Sequence, residues 1–126
     1  KSKGAVASVH VGRKGLVNAV AEKAIEVMRE ISSAEISATI GPAICGSCYE
    51  VSEEIFNEVT ASHPESASKT PQGTPALDLI KALIKVLQNL EVTKIDNQSR
   101  CTHENEDLYS YRRDRITGRQ AGLVWL

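Results

Sequence analysis

The sequence predicts an α+β domain with a mixed β-sheet core and helices packed on it. Short β-branched runs are interspersed with amphipathic helical stretches. The helical stretches carry apolar residues at three- and four-residue spacing. Aromatic residues make up only 4% of the chain, so the core is built from Ile, Leu, Val and Ala. With 126 residues the chain is long enough for one domain with a core, and too short for two.

In order, Ala5-Val6-Ala7-Ser8-Val9-His10-Val11 reads as a buried strand. Gly12-Arg13-Lys14-Gly15 breaks it with two glycines that allow a tight turn. A helix follows from Leu16, with Leu16, Val20, Ala24, Val27 and Ile31 along its apolar face. Ile36 to Ile40 alternates as a second strand, and Gly41-Pro42 ends it. Ala43 to Val51 is a loop with two cysteines. Ser52 is an N-cap for a helix through Phe56 and Val59, with Glu53 and Glu54 in its first turn. His63 to Pro75, rich in Ser, Thr, Pro and Gly, reads as a mobile surface loop. Ala76 to Leu90 is an amphipathic helix whose apolar face is Leu77, Ile80, Leu83, Ile84 and Leu87. Val92 to Ile95 is a short strand, and Gly122 to Leu126 closes the chain as another.

Fifteen Lys and Arg nearly balance sixteen Asp and Glu. Without a basic field, nucleic-acid binding is not expected. No apolar run approaches the roughly 20 residues of a membrane span. Three cysteines at uneven spacing argue against a secreted disulfide framework. The opening Lys1-Ser2-Lys3-Gly4 has neither Met nor a signal-peptide core, which predicts a cytoplasmic chain that begins part-way through a longer protein.

The densest polar stretch is Tyr109-Ser110-Tyr111-Arg112-Arg113-Asp114, running on to Thr117-Gly118-Arg119. Guanidinium forks bind phosphate or carboxylate bidentately, so the cluster reads as an anion site. The alternative is that these arginines pair with Asp114 or with the acidic run from Glu104 to Asp107. Cys45-x-x-Cys48 has the spacing of half a zinc site or of a redox pair, and Cys101-x-His103 is a loose match for a second half. Structural or unpaired thiols are the plainer reading. His10, at the end of the first predicted strand, is a candidate metal ligand or general base, or else a packed or surface imidazole.

Four segments, taken together, resemble one family. They are Val9 to Gly15; Ile40-Gly41-Pro42-Ala43-Ile44 with Cys48-Tyr49-Glu50-Val51; Cys101-Thr102; and Tyr109 to Asp114 with Thr117-Gly118-Arg119 and Gly122 to Leu126. Their order and spacing are similar to the C-terminal half of the laccase-domain proteins, also called multicopper polyphenol oxidase-like or YfiH-like. The resemblance covers essentially the whole chain. It implies one YfiH-like domain over residues 1–126, lacking the family's N-terminal part. It also implies a zinc-dependent purine nucleoside phosphorylase with adenosine deaminase activity, in a family whose metal was historically read as copper. The substrates implied are a purine nucleoside (adenosine, inosine or a relative) and phosphate.

The family's metal is held by two histidines and a cysteine. The last of these ligands, in a His-Ala-Gly-Trp-Arg-Gly motif, falls on His10; the other two belong to upstream segments. The motif's Trp-Arg pair is Arg13-Lys14 here. From the clustered arginines and this resemblance together, Arg112 and Arg113 are expected to act at the reacting phosphate, or at least one of them to anchor structure through Asp114 instead; Lys14, Tyr111 and Arg119 are expected to contact substrate or anion, and His10 to bind metal. The competing expectation is a non-catalytic truncated domain, or a fragment completed by a partner or a second copy. A small redox protein built on Cys45 and Cys48 is a third.

Overall fold

The computed structural model describes residues 4–126. The first segment, residues 4–11, has no regular secondary structure, joins no ladder and is mostly exposed, in contrast to the buried strand expected there. Its small and β-branched residues favour extended backbone, but a strand also needs a neighbour to bond to. Gly12 then leads into helix α1 (Arg13–Val17). Five residues do not hold a helix alone. Burial of Leu16, 2% exposed, anchors it with roughly 1.5–3 kcal/mol.

The single helix expected from Leu16 is broken at Asn18-Ala19. Ala19 takes the left-handed conformation (φ 57°, ψ 41°) and turns the chain into α2 (Val20–Ile31). The break rotates the buried face, so Ala21 and Ile25 point inward while Val27 and Ile31 are about half exposed. After α2 comes β1 (Ser37–Ile40), as expected. Helix α3 (Glu53–Ser62) starts where its cap predicts, with the Ser52 hydroxyl accepting from the Ile55 amide at 3.3 Å.

Residues 63–75 are ordered into structure rather than forming a mobile loop. A 3₁₀ turn, Pro64–Ser66, leads into β2 (Ala67–Lys69), which pairs antiparallel with β3 (Pro75–Leu77). Gly73, at φ +83°, closes the hairpin turn, and the Thr70 and Thr74 hydroxyls meet across it at 2.6 Å. Ser66 is wholly buried, and its hydroxyl donates to the His63 carbonyl at 2.7 Å. Helix α4 (Leu79–Asn89) therefore begins three residues later than its apolar pattern predicts. Leu77 is fully buried, but as a strand residue. The Asp78 carboxylate caps α4 by accepting from the Lys81 amide at 2.9 Å.

Strand β4 (Lys94–Asn97) pairs in parallel with β1, from Ser37 opposite Lys94 to Ile40 opposite Asn97. Ile25, Leu87 and Val92 pack against this pair through Ile36, Ala38 and Ile95. The main core joins Leu16, Ala21, Val59, Leu77, Ala82 and Val86 from α1, α2, α3, β3 and α4. Helix α5 (Tyr111–Asp114) is one turn long, capped by the Ser110 hydroxyl. The tail beyond it, expected to close as a strand, has no regular secondary structure, joins no ladder and is mostly exposed. It lies beside residues 4–11: the Ser8 hydroxyl donates to the Gly122 carbonyl at 3.0 Å, and Leu126 packs over Gly4. Among the described residues no helix is long and apolar enough to cross a membrane.

Candidate functional site

The parallel pair β1–β4 sets the location. Two long irregular segments leave the carboxyl ends of these strands side by side, where ligands commonly bind in α/β folds. The strand pairing continues loosely into them. The Gln98 amide donates to the Ile40 carbonyl at 2.9 Å, the Ala43 amide to Arg100 at 3.2 Å, and the Thr102 amide to Ala43 at 3.2 Å. One segment carries Cys45 and Cys48. The other carries Cys101, Glu104 and the arginine stretch.

The first segment is fixed from both sides. Gly46 is buried against Asp78 and Ser68, so closely that a side chain there would meet Asp78 at 2.8 Å. The Leu77 amide donates to the Tyr49 carbonyl at 3.1 Å, and the Val51 amide to the Pro75 carbonyl at 3.0 Å. The Glu50 carbonyl thus has a set direction, and it accepts from the Arg112 guanidinium at 2.8 Å. That guanidinium also stacks over the Tyr49 ring, 4.7 Å from its centre. Arg112 and Arg13 line one open cavity of about 550 Å³ with Tyr49, Glu50 and Val51. Arg13 is steadied by Glu58 at 3.8 Å.

Arg113 faces the other way. One of its terminal nitrogens donates to the carbonyls of Thr102 and Asn105 at 2.9 and 3.1 Å, with His103 at 3.4 Å. The other reaches the Leu108 carbonyl at 2.9 Å. Both oxygens of Asp114 accept from the same guanidinium, at 2.8 and 2.7 Å. Its five N–H groups are therefore engaged by the chain, and they hold the 102–108 turn in shape. The guanidinium beside Asp114 keeps that carboxyl below the usual carboxylate range, against a smaller opposing effect of burial. Arg100 completes the bracing with a two-pronged bond to Asp107, 2.9 Å at each oxygen.

The remaining candidates lie outside the cavity lining. His10 is exposed on the first irregular segment, its Nε2 over Gly12, where a side chain would meet it at 3.1 Å. Lys14, Tyr111 and Arg119 are exposed. The sulfurs of Cys45, Cys48 and Cys101 and a carboxylate oxygen of Glu104 lie within 4.8 Å of one another, a set able to hold a metal ion. His10 is not in that set. Burial raises the Cys45 thiol, but hydrogen bonds from Ser47, Cys101 and Cys48 outweigh it and leave it lowered. Burial and the neighbouring Cys45 and Cys101 push Cys48 up to about 12. The loop from Cys45 joins a bridge at Glu50 before α3 begins, so Cys45 is not at a helix start as a thioredoxin-like pair would be.

A family model described as multi-copper polyphenol oxidoreductase laccase matches residues 1–126. The chain belongs to this family. It is 46% identical over 125 residues to a purine nucleoside phosphorylase of Streptomyces coelicolor, covering 98% of this chain and 52% of that protein. To purine nucleoside phosphorylase YfiH of Escherichia coli it is 36% identical over 124 residues, covering 96% of this chain and 51% of that one. The crystal structure of Neisseria meningitidis protein NMB0706, of family DUF152, shares the fold. Its TM-score is 0.68 at 25% identity, over 83% of this chain and 45% of that chain. The chain spans about half the length of the curated relatives it matches. The resemblance and the α+β, YfiH-like fold expected with it are therefore borne out.

Sequence reasoning missed Glu104, Arg13 and Tyr49 as site residues. Glu104 had a signal: Cys101-x-x-Glu104 repeats the spacing of Cys45-x-x-Cys48. Arg13 and Tyr49 lay within the segments that carry the resemblance, but only the packing of α1 and β3 brings them to Arg112.

Proposed function

We propose that this chain supplies the anion-binding wall of a zinc-dependent purine nucleoside phosphorylase, which cleaves adenosine, inosine and related nucleosides with phosphate. The observation that carries this reading is the pair of guanidinium groups, Arg13 and Arg112, lining one cavity in a chain 46% identical to a relative named as such a phosphorylase. Phosphorolysis brings an anionic nucleophile to the anomeric carbon as the glycosidic bond breaks. Two cations lining one opening, Arg112 oriented by the Glu50 carbonyl and Arg13 beside Glu58, hold that anion and offset its charge. Arg112 is the primary contact, since the Glu50 carbonyl and the Tyr49 ring orient it while it lines the cavity. Arg113 is a positioning residue, holding the turn on which α5 sits. Lys14, Tyr111 and Arg119 are outer substrate contacts.

The reaction belongs to the whole protein. His10 alone does not make a zinc centre: among the described residues it joins no set of three or more possible ligands. The zinc chemistry and the deaminase activity are both assigned to the full-length enzyme. Three free thiols support a reducing, cytoplasmic location.

In the full-length enzyme, Arg112→Ala is expected to raise the KM for phosphate about 10- to 100-fold, with a smaller change in the KM for inosine. An unchanged phosphate KM in both Arg112→Ala and Arg13→Ala overturns the reading.

A second reading rests on the two terminal arms. Leu123, Trp125 and Leu126 are each at least 80% exposed on the tail beside residues 4–11. An apolar ribbon of this kind supports a chain completed by another polypeptide, carrying either the remaining half of the relatives' length or a second copy. Sedimentation of the chain with and without the upstream half of a relative tests it. A monomer that ignores that half overturns it.

A further inference from the structure

We propose that Cys45, Cys48, Cys101 and Glu104 form a four-ligand structural site for a divalent cation of the zinc class, separate from the His10 position. The sequence presents two chelating pairs, Cys45-x-x-Cys48 and Cys101-x-x-Glu104, each spaced by two residues. The fold brings the pairs together from the carboxyl ends of two adjacent parallel strands. All four ligand atoms lie within 4.8 Å of one another, and Cys48 Sγ is 3.5 Å from the Glu104 carboxylate. A tetrahedron with metal–sulfur bonds of about 2.3 Å separates its ligands by about 3.7 Å. Small side-chain rotations close that difference. Three thiolates and one carboxylate suit zinc and leave no open position, as in a structural rather than a catalytic centre.

The surroundings fit a ligand cage more closely than three unrelated thiols. The Cys45 amide donates to Cys101 Sγ at 3.3 Å, a bond that steadies a thiolate. The Cys48 and Tyr49 amides both donate to the Cys45 carbonyl at 3.1 Å, folding the first pair into a tight turn. In the second pair, the Asn105 amide and side chain both donate to the Cys101 carbonyl, at 3.1 and 2.7 Å. Arg113 donates to the carbonyls of Thr102 and His103, the two residues between Cys101 and Glu104. Its guanidinium thus shapes the ligand turn. Binding takes up the metal ion with loss of the thiol protons and involves no redox step.

A bound cation ties the Cys45 loop to the 101–104 turn. The same loop runs on into Tyr49 and Glu50, which orient Arg112. The inference stands apart from the phosphorylase reading, because its test needs no substrate.

The test is a zinc titration of the reduced 126-residue chain by competition with a chromophoric chelator, with cobalt(II) as a spectroscopic probe. The expected result is one zinc per chain with a Kd below about 1 µM. Cobalt should show intense thiolate-to-metal charge-transfer and tetrahedral ligand-field bands. Cys48→Ser is expected to weaken binding at least about 100-fold and Glu104→Gln about 10-fold, while His10→Ala leaves the affinity unchanged. Cys48 and Glu104 are not core residues, and circular dichroism checks that each variant is folded. A Kd weaker than about 1 µM in the folded, reduced chain overturns the proposal. So does binding that His10→Ala abolishes and Cys48→Ser retains.

Discussion

Two parts of this protein are built from irregular chain, and they differ in what holds them. The wall, residues 43–51 with 100–114, is cross-tied at nearly every turn. The arms, residues 4–11 with 117–126, lie side by side with one hydroxyl bond and a contact of Leu126 over Gly4 between them. Composition does not explain the difference, since the arms are the more apolar of the two. The wall has dedicated donors: Arg113 serves the carbonyls of Thr102, Asn105 and Leu108, and Arg100 serves Asn105 and Asp107. Irregular backbone is held where many side chains satisfy its polar groups; the tail has few such ties, the Ser8 hydroxyl on the Gly122 carbonyl and the Gln120 side chain on the Tyr109 amide and carbonyl.

Removing the wall's main donor has the largest expected effect. Arg113→Ala leaves the carbonyls of the 102–108 turn without their donor. On the proposed phosphorylase reading, it should lower kcat/KM of the full-length protein about 100-fold, through displacement of Arg112. It should also lower the Tm more than Arg112→Ala does. Arg113→Lys should fail to rescue, because one ammonium cannot span the positions a planar fork reaches. A wild-type Tm and rate for Arg113→Ala would erase the distinction drawn between wall and arms.

A smaller effect is set by pH. Asp114 is held below its ordinary value by Arg113, so its folded pKa is lower than its unfolded pKa. Its stabilisation is therefore present above the unfolded value, near about 4, and is lost as pH falls through the folded value. Asp107, lowered by Arg100, adds in the same direction. Asp114→Asn should flatten the acid limb of the Tm-against-pH curve below about pH 4 and leave the Tm difference between pH 6 and 8 unchanged. An acid limb identical to wild type would show that this pair braces nothing.

The smallest effect is expected at the arms. Trp125→Ser, at a residue 80% exposed, should change the stability of this chain by less than about 0.5 kcal/mol in a urea titration. The same change in the full-length protein should cost more if another polypeptide covers the ribbon, and equal costs would argue that nothing does.

Much of the fold was legible in the sequence. Ser52 announced α3, the alternation of Ile36 to Ile40 gave β1, and the spaced leucines and isoleucines gave α4 apart from its first turn. These are local matters: a capping hydroxyl or an apolar stripe acts within a few residues. The misses share a cause. Ala19 breaks a good helical pattern through a left-handed turn that no local preference demands. The Ser/Thr/Pro-rich segment became a hairpin because Ser66 and Leu77 could be buried against α3 and α4.

The candidate site divides in the same way. The sequence by itself determined the family, through motifs spread along the whole chain, and an arginine cluster suited to an anion. It also determined the Cys-x-x-Cys spacing, because chelating pairs are local. Only the tertiary structure decided that Arg112 faces a cavity with Arg13 while its neighbour Arg113 is consumed by backbone carbonyls. Only it decided, too, that Cys101 and Glu104 join Cys45 and Cys48. Residues more than fifty positions apart meet there because β1 and β4 run parallel and release their loops at the same end. Pairing direction is a property of the assembled sheet, and it is written in neither strand alone.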